Sequence, residues 1–403
     1  MRLLPPDELG LQRALELARE AAAFASPNPT VGCVLLRGDR TLAEGAHHFD
    51  AYDHAEIVAL KAALAAGHDL HGATACVTLE PCSHHGRTGP CSDALIAAGI
   101  SRCVVATVDP NPLVTGRGLA RMREAGIDVI LLPPASPEAQ QARRVNDAFA
   151  FSVQHNRPFV TLKAALSVDG KLAPPQHQRT GKTPHWLTGP AARADVQQLR
   201  HNSDAILTGI GTVLADDPEL TDRTGLLRRR PLLRVVLDSY LRIPLDSKLV
   251  RSAAQQARSR SADLLVLCTE YAPAQRQSDL RYSGIELLRL PSINNRLDLK
   301  AAFHALQDRQ IRSVLVEGGS ALNASLLRTQ LADRLVLYFA ERELGVDAVP
   351  FAGGGASPYS LQEELSCVAR TTFPHGDAGD SADSTESEDI RISGYLHDPW
   401  ANL

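Results

Sequence analysis

No stretch of this 403-residue chain approaches eighteen consecutive apolar residues, which removes a membrane-spanning helix from consideration. Nor does the opening "MRLLPPDELG" hold the apolar core of a secretory peptide, because Pro5 and Pro6 stand where that core would run. Basic charge is not in surplus. Lys and Arg number 42 against 46 Asp and Glu, a net charge of −4, so no broad basic surface offers itself to nucleic acid. Cysteine is scarce and odd in number, seven in all, which fits reduced thiols or metal ligands better than a disulfide framework. No internal repeat is visible. These absences lead to the expectation of a cytoplasmic protein with neither a membrane nor a nucleic-acid partner.

What is present is ordinary globular composition, 44% apolar and 22% charged. The length exceeds the roughly 100 to 200 residues of a single domain, so two domains are expected. Asp7 can cap a first helix on which Leu11, Leu15, Ala18 and Ala22 recur at helical spacing. Strand patterns at 31–36, 73–79, 102–108 and 127–132 then alternate with helix patterns at 54–67, 91–99 and 116–126, which predicts a layered α/β sheet with parallel pairings. A helix from Pro137 to about Val153 precedes the polar break "QHNRP". The boundary is placed there, giving domains 1–153 and 158–403. Strands "FVTLKAAL", "AILTGI", "LRVVLDS", "DLLVLCT" and "SVLVEGG" make the second domain α/β as well, and "IRISGYL" reads as a last strand. The acidic segment 374–389 before it cannot bury enough to order itself and reads as a solvated loop.

Two cysteines stand apart from the other five. "HAE" at 54–56 precedes "EPCSHHGRTGPC" at 80–91. One histidine and two thiolates, His54, Cys82 and Cys91, with a fourth position left open, form a recognised catalytic zinc set, whereas four protein ligands would make the site structural. Cys91 opens a helix, where the N–H groups and the dipole favour a thiolate. Residues two apart on a helix point to different sides, so Glu56 is poorly placed to share the metal with His54. It is better placed to take a proton from an activated water and pass it to a leaving amine. That is the logic of the zinc nucleobase deaminases, H-x-E followed by P-C-x-x-C, except that eight residues separate the cysteines here. The bland reading is a closed zinc site or two buried cysteines. Against it, no fourth ligand is obvious unless His84 or His85 is recruited. Cys33, Cys76, Cys103, Cys268 and Cys367 sit in apolar or unremarkable contexts.

Beyond the break, "GIGTVL" starts like a dinucleotide fingerprint but has Leu214 in place of the third glycine. The glycine pair in "VLVEGGSALNASLL" is the stronger signal, since Gly318 and Gly319 let backbone approach an anion and the helix after them presents free N–H groups. A plain strand-to-helix turn explains it equally well.

Taken together, "SPNPTVGCVL", "HAEIVAL", "TLEPCSHHGRTGPC" and "DPNPLVTGRG" resemble the deaminase domain of the riboflavin-biosynthesis deaminase/reductase family in order and spacing. "LKAALSVDGKLA", the run 185–223, "RVVLDSYLRIPLDSKLV" and "VEGGSALNASLL" are similar to that family's reductase domain. The resemblance implies a cytidine-deaminase-like three-layer domain followed by a dihydrofolate-reductase-like α/β domain. It implies one Zn²⁺ per deaminase domain, held by His54, Cys82 and Cys91, with Glu56 catalytic. The implied substrate is a phosphorylated pyrimidine, 2,5-diamino-6-(5-phosphoribosylamino)pyrimidin-4(3H)-one. It is deaminated to 5-amino-6-(5-phosphoribosylamino)uracil, whose ribose NADPH then reduces to a ribityl chain.

Residue by residue, the resemblance assigns NADPH to Ala165, Trp186, Thr212, Asp216, Ser239 and the run Gly319, Ser320, Ala321, Leu322, Asn323, Ala324 and Ser325. It assigns substrate to Arg200, Leu220, Arg223 and Glu317, with Asn28 a contact for base or ribose. Asn28 can equally be an Asx-type turn, Trp186 core, and the two arginines a solvated face. Ser239 with Arg242 suits the 2′-phosphate of NADPH. The family often has proline where Gly89 stands and a serine where Pro184 stands, for which Thr183 can substitute. Homo-oligomers, dimers or tetramers, are implied through the reductase domain. The rivals are a zinc deaminase of cytidine or tRNA adenosine, and a zinc deaminase whose reductase-like half serves only for assembly.

Overall fold

In β1 (Gly32–Arg37) successive side chains enter opposite cores: Cys33 and Leu35 pack into one apolar cluster, Val34 and Leu36 into another. A strand buried on both faces is the middle of three layers. The computed structural model of the chain shows this arrangement in each of two compact units, and it describes residues 3–84, 89–112, 114–179, 185–257, 263–374 and 388–401. The first unit takes residues 1–157 with 228–230 and 399–403, and the second takes 158–227 and 231–398.

The sheet of the first unit runs β2-β1-β3-β4-β5, with β2 (Arg40–Ala46), β3 (Thr74–Val77), β4 (Arg102–Val105) and β5 (Asp128–Leu131). Its helices are α1 (Pro5–Glu20), α2 (Ala22–Ala25), α3 (Ala55–Ala65), α4 (Cys91–Ala97), α5 (Arg117–Glu124), α6 (Pro137–Arg144) and α7 (Asp147–His155). One face carries α3, α4 and α5 through Ala59, Leu60, Leu95, Leu119 and Met122. The other carries α1 and α6 through Leu11, Ala14, Leu15, Ala139 and Ala142.

Three expectations need correction here. Pairing is parallel only among β3, β4 and β5, because β1 joins β2 through a tight hairpin and runs antiparallel to both its neighbours. The helix expected from Pro137 to Val153 is two helices. Between them the buried Asn146 side chain accepts from Thr30 N (2.7 Å) and donates to Thr30 O (2.9 Å), which draws the chain out of helical register. Asp7 lies inside α1, where its carboxylate accepts from Leu4 N (2.9 Å).

The second unit is built on nine strands in the order β11-β10-β9-β8-β14-β6-β15-β18-β17. In chain order they are β6 (Phe159–Ser167), β8 (Ala205–Gly209), β9 (Leu233–Leu237), β10 (Leu264–Thr269), β11 (Glu286–Leu290), β14 (Ser313–Val316), β15 (Arg334–Ala340), β17 (Ser366–Pro374) and β18 (Glu388–Tyr395). The short strands β7 (Lys171–Ala173) and β16 (Val349–Pro350) pair with each other, as do β12 (Ser292–Ile293) and β13 (Arg296–Leu297). All pairings from β11 to β15 are parallel, and β18 and β17 close the sheet antiparallel. Helices α12 (Leu299–Asp308) and α13 (Ser320–Arg328) cover one face. On the other lie α8 (Pro190–His201), α9 (Ile210–Asp216), α10 (Lys248–Ala257) and α11 (Ala274–Tyr282), and the short α14 (Pro358–Glu363) leads into β17.

The topology locates a crevice. From β8 the chain moves outward to β9, whereas from β14, its neighbour, it moves the opposite way to β15. Ligands of open α/β sheets bind at such a divergence, beyond the carboxyl ends of the strands. No helix among the described residues is long and apolar enough to cross a membrane. The loop reading of segment 374–389 falls on residues 375–387, which lie outside the described residues.

Candidate functional site

In the first unit His54 is the N-cap of α3, Cys91 the first residue of α4, and Cys82 lies on the loop after β3. Their ligand atoms all lie within 4.8 Å of one another, and His54 Nδ1 is 3.5 Å from Cys82 Sγ and 3.3 Å from Cys91 Sγ. One nitrogen and two sulfurs converging at these distances suit a zinc ion in chemistry and in number, with a coordination position left over. Among the described residues no other His, Cys, Asp and Glu group converges in this way.

The helix start acts differently from expectation. The Cys91 N–H donates to Cys82 Sγ at 3.3 Å, so the positive end of α4 favours a thiolate at Cys82. The two thiols compete for one proton, which pulls Cys82 down and pushes Cys91 up. Glu56 is buried beside them, and burial raises its carboxyl to about 7 although His54 pulls the other way. A dication between the ligands would also pull it down.

A cavity of about 190 Å³ opens onto His54, Glu56 and Cys82 and is lined further by Asn28, His47, His84, Asp109, Asn111 and Phe149. His47 Nδ1 donates to Asp53 O (2.8 Å), so its Nε2 is the acceptor for Asn28 Nδ2 (3.0 Å). The amide oxygen of Asn28 is thereby left for a ligand. Burial keeps His47 below the usual histidine range, and so neutral. Asp109 is pushed up to about 6, chiefly by burial, while the Asn111 N–H (2.8 Å) works against it. Sequence reasoning missed His47, Asp109 and Asn111. The last two stand in the quoted "DPNPLVTGRG", and only their motif marked them. Of the two histidines in the cysteine loop, His84 lines the cavity, and His85 lies outside the described residues. Gly89 is exposed with open space where a side chain would project, so nothing here requires glycine.

In the second unit a cavity of about 500 Å³ lies at the carboxyl ends of β6, β8 and β14. Of the residues the resemblance singles out, Ala165, Trp186, Thr212, Asp216, Arg200, Leu220, Arg223 and Glu317 line it. Ser239 and the run Gly319–Ser325 do not. Ser239 lies on the turn after β9, where its carbonyl accepts from Thr269 N and Oγ1, and Gly319 caps α13 directly after the lining residue Gly318. The strand-to-helix turn therefore presents the N-terminus of a nine-residue helix to the crevice, an anion-binding arrangement.

Glu317 organises the wall of this cavity. Arg200 forks onto it, Nε to Oε1 at 2.7 Å and Nη2 to Oε2 at 3.0 Å, and Lys163 Nζ lies 3.7 Å from Oε2. Burial alone would raise Glu317, but Arg200 and Lys163 outweigh it and hold the carboxyl down at about 2. Lys163, which burial lowers, was not anticipated, although a lone lysine within "FVTLKAAL" was a visible signal. Arg223 is exposed, and among the described residues only its backbone is engaged, donating to Gln197 Oε1 (2.9 Å). Leu220 has a left-handed backbone, φ 53°, which a leucine adopts only under constraint. Thr183 and Pro184 lie outside the described residues.

Both halves of the chain have counterparts among known proteins. Residues 5–107 match the cytidine and deoxycytidylate deaminase zinc-binding region, and residues 158–373 match the RibD C-terminal domain. The chain is 38% identical over 364 residues to riboflavin biosynthesis protein RibD of Actinobacillus pleuropneumoniae, covering 90% of this chain and 91% of that protein. Against the Escherichia coli protein of the same name it is 39% identical over 353 residues, covering 85% and 89%. Among solved structures it is similar to Acinetobacter baumannii RibD, with TM-score 0.73 and 32% identity over 96% of this chain and 98% of that one. It is also similar to the Thermotoga maritima diaminohydroxyphosphoribosylaminopyrimidine deaminase/5-amino-6-(5-phosphoribosylamino)uracil reductase, with TM-score 0.75 and 30% identity over 97% and 99%.

Proposed function

The chain belongs to the RibD family of bifunctional riboflavin-biosynthesis enzymes, and from that premise we propose which of its residues carry the two reactions. It is a deaminase and a reductase in one chain, with a zinc-binding cytidine-deaminase-like three-layer fold followed by the RibD reductase fold.

The deaminase is assigned to residues 1–153 and hydrolyses the amino group of the phosphoribosylated diaminopyrimidinone. The observation that carries this reading is the convergence of His54, Cys82 and Cys91 beside the buried Glu56 at the cavity. Zinc on those three ligands supplies the Lewis acidity that activates water. Glu56 takes the proton of the attacking water and returns it to the departing amine, the acid–base role open to a buried carboxyl that lines the cavity beside the converging ligands. Asn28, its amide fixed by His47, offers an oxygen to the N–H edge of the base. Burial of Glu56 keeps solvent from competing for that proton.

The reductase is assigned to residues 158–403, with NADPH as the hydride donor. The cofactor's place is the crevice lined by Ala165, Trp186, Thr212 and Asp216, with the start of α13 following the lining residue Gly318, where the helix N–H groups suit its phosphates; Ser239, on the turn after β9, is assigned to it by the family resemblance alone. Arg223 meets the substrate phosphate with its guanidinium. Arg200, engaged with Glu317, acts through that carboxylate, and Leu220 shapes the wall beside it. A small-molecule substrate, a homo-oligomer and a cytoplasmic location belong to the same reading. The test is to supply the diaminopyrimidinone phosphoribosyl substrate with and without NADPH: the aminouracil alone is expected without it, and the ribityl product with it.

A further inference from the structure

Two motifs that the chemistry leaves unused, Glu80 in "EPC" and the glycines of "DPNPLVTGRG", meet in the first unit. Glu80 is 3% exposed. One carboxylate oxygen accepts from Asp109 N (3.3 Å) and Gly116 N (2.9 Å), the other from Gly118 N (2.9 Å) and Leu119 N (3.3 Å). Gly116 is the N-cap of α5 and has no side chain to cap it, so Glu80 caps that helix from the loop after β3. The joint is tight: a Cβ on Gly118 would lie 1.9 Å from Pro81 O. Glu80 stands two residues before Cys82, and the loop it grips carries Asp109, Asn111 and Val114 into the cavity.

We propose that Glu80 is a positioning residue of the deaminase site, fixing the loop from Asp109 to Gly116 against the metal-ligand loop and so setting substrate affinity without touching substrate. This rests on the reading of that cavity as the deaminase site. Two loops that face each other across a ligand bind it well only at one separation, and four N–H groups on a single carboxylate hold that separation firmly. A residue that served the fold alone would change unfolding temperature and leave the KM of the surviving enzyme where it was.

Glu80→Gln preserves the size of the side chain but turns an NH₂ group toward N–H donors. The zinc-loaded enzyme is expected to show a deaminase KM raised about tenfold, with kcat within about threefold, one zinc per chain and an unchanged reductase KM. An unchanged deaminase KM overturns the proposal. Loss of zinc with KM unmoved overturns it too, because it assigns Glu80 to the metal loop alone. Should Glu80→Gln not fold, Gly116→Ala decides: at φ 77° an alanine strains the same loop from its other side, and an unmoved KM again overturns the proposal. Glu56→Gln, measured alongside, separates the two failures. Deamination at the parent rate in that variant sinks the reading of the cavity; an inactive Glu56→Gln beside a Glu80→Gln with parental KM sinks the clamp alone.

Discussion

Arg200 and Glu317 form a forked ion pair inside the reductase cavity, with both side chains mostly buried and the third arginine nitrogen, Nη1, donating to Thr221 O at 2.9 Å. An arginine so committed has little left for a substrate phosphate, whereas the guanidinium of Arg223, which also lines the cavity, has no partner among the described residues.

The two arginines should therefore fail differently. Arg223→Ala is expected to raise the reductase KM for the phosphorylated substrate about tenfold, the worth of one charge-assisted contact, with kcat and stability held. Arg200→Ala removes one partner of a buried pair, which costs about 3–5 kcal/mol, and should lower kcat and the unfolding temperature of the reductase together. Steady-state kinetics with thermal unfolding of both variants checks this, and identical profiles would contradict the assignment.

The same pair makes stability depend on pH. The Glu317 carboxyl is held at about 2 against an ordinary 4.5, so the folded state binds its proton less readily than the unfolded chain. Its stabilising contribution is complete above pH 4.5 and is lost as pH falls from there toward 2. Acid unfolding of the parent should show a steeper decline across that window than Glu317→Gln, which has no carboxyl to titrate. Equal slopes would remove the pair as the cause.

Much of this architecture is legible in the chain. β3 and β4 can be read because strands buried on both faces are nearly continuous apolar runs. β2, "RTLAEGA", cannot, since it lies at a sheet edge and mixes arginine, glutamate and glycine. The break at Asn146 is equally hidden, because its cause is a backbone 116 residues away. His54, Glu56, Cys82 and Cys91 stand out because metal and proton chemistry demand rare residue types at set spacing. Asn28 is half legible: its motif marks it, and only the His47 contact orients its amide. Glu80 is marked only by the motif it opens, and its role is hidden, since its partners are main-chain N–H groups that any residue could supply.

Glu56→Gln should retain one zinc per chain, because the carboxylate is not among the converging ligands. Deamination should fall by about 10² to 10⁴-fold, the usual worth of a positioned acid–base group. Metal analysis and product formation on the same preparation check both halves, and undiminished turnover would remove the proton-transfer role.

Discrimination between NADPH and NADH tests the turn after β9. Arg242 is 59% exposed and its Nε lies 4.0 Å from Asp238 Oδ1, a contact too long to immobilise it. Arg242→Ala is expected to lower the preference for NADPH by about tenfold, the loss of one charge-assisted phosphate contact. A preference that does not move would exclude Arg242.

The central claim is that one chain holds two chemically independent sites. Chelation of the metal followed by assay of both half-reactions measures this most directly. The account predicts that deamination of the diaminopyrimidinone stops and returns on adding Zn²⁺, while NADPH-dependent reduction of the aminouracil supplied separately continues at its original rate. Loss of both reactions together, or deamination that survives complete removal of zinc, would contradict it.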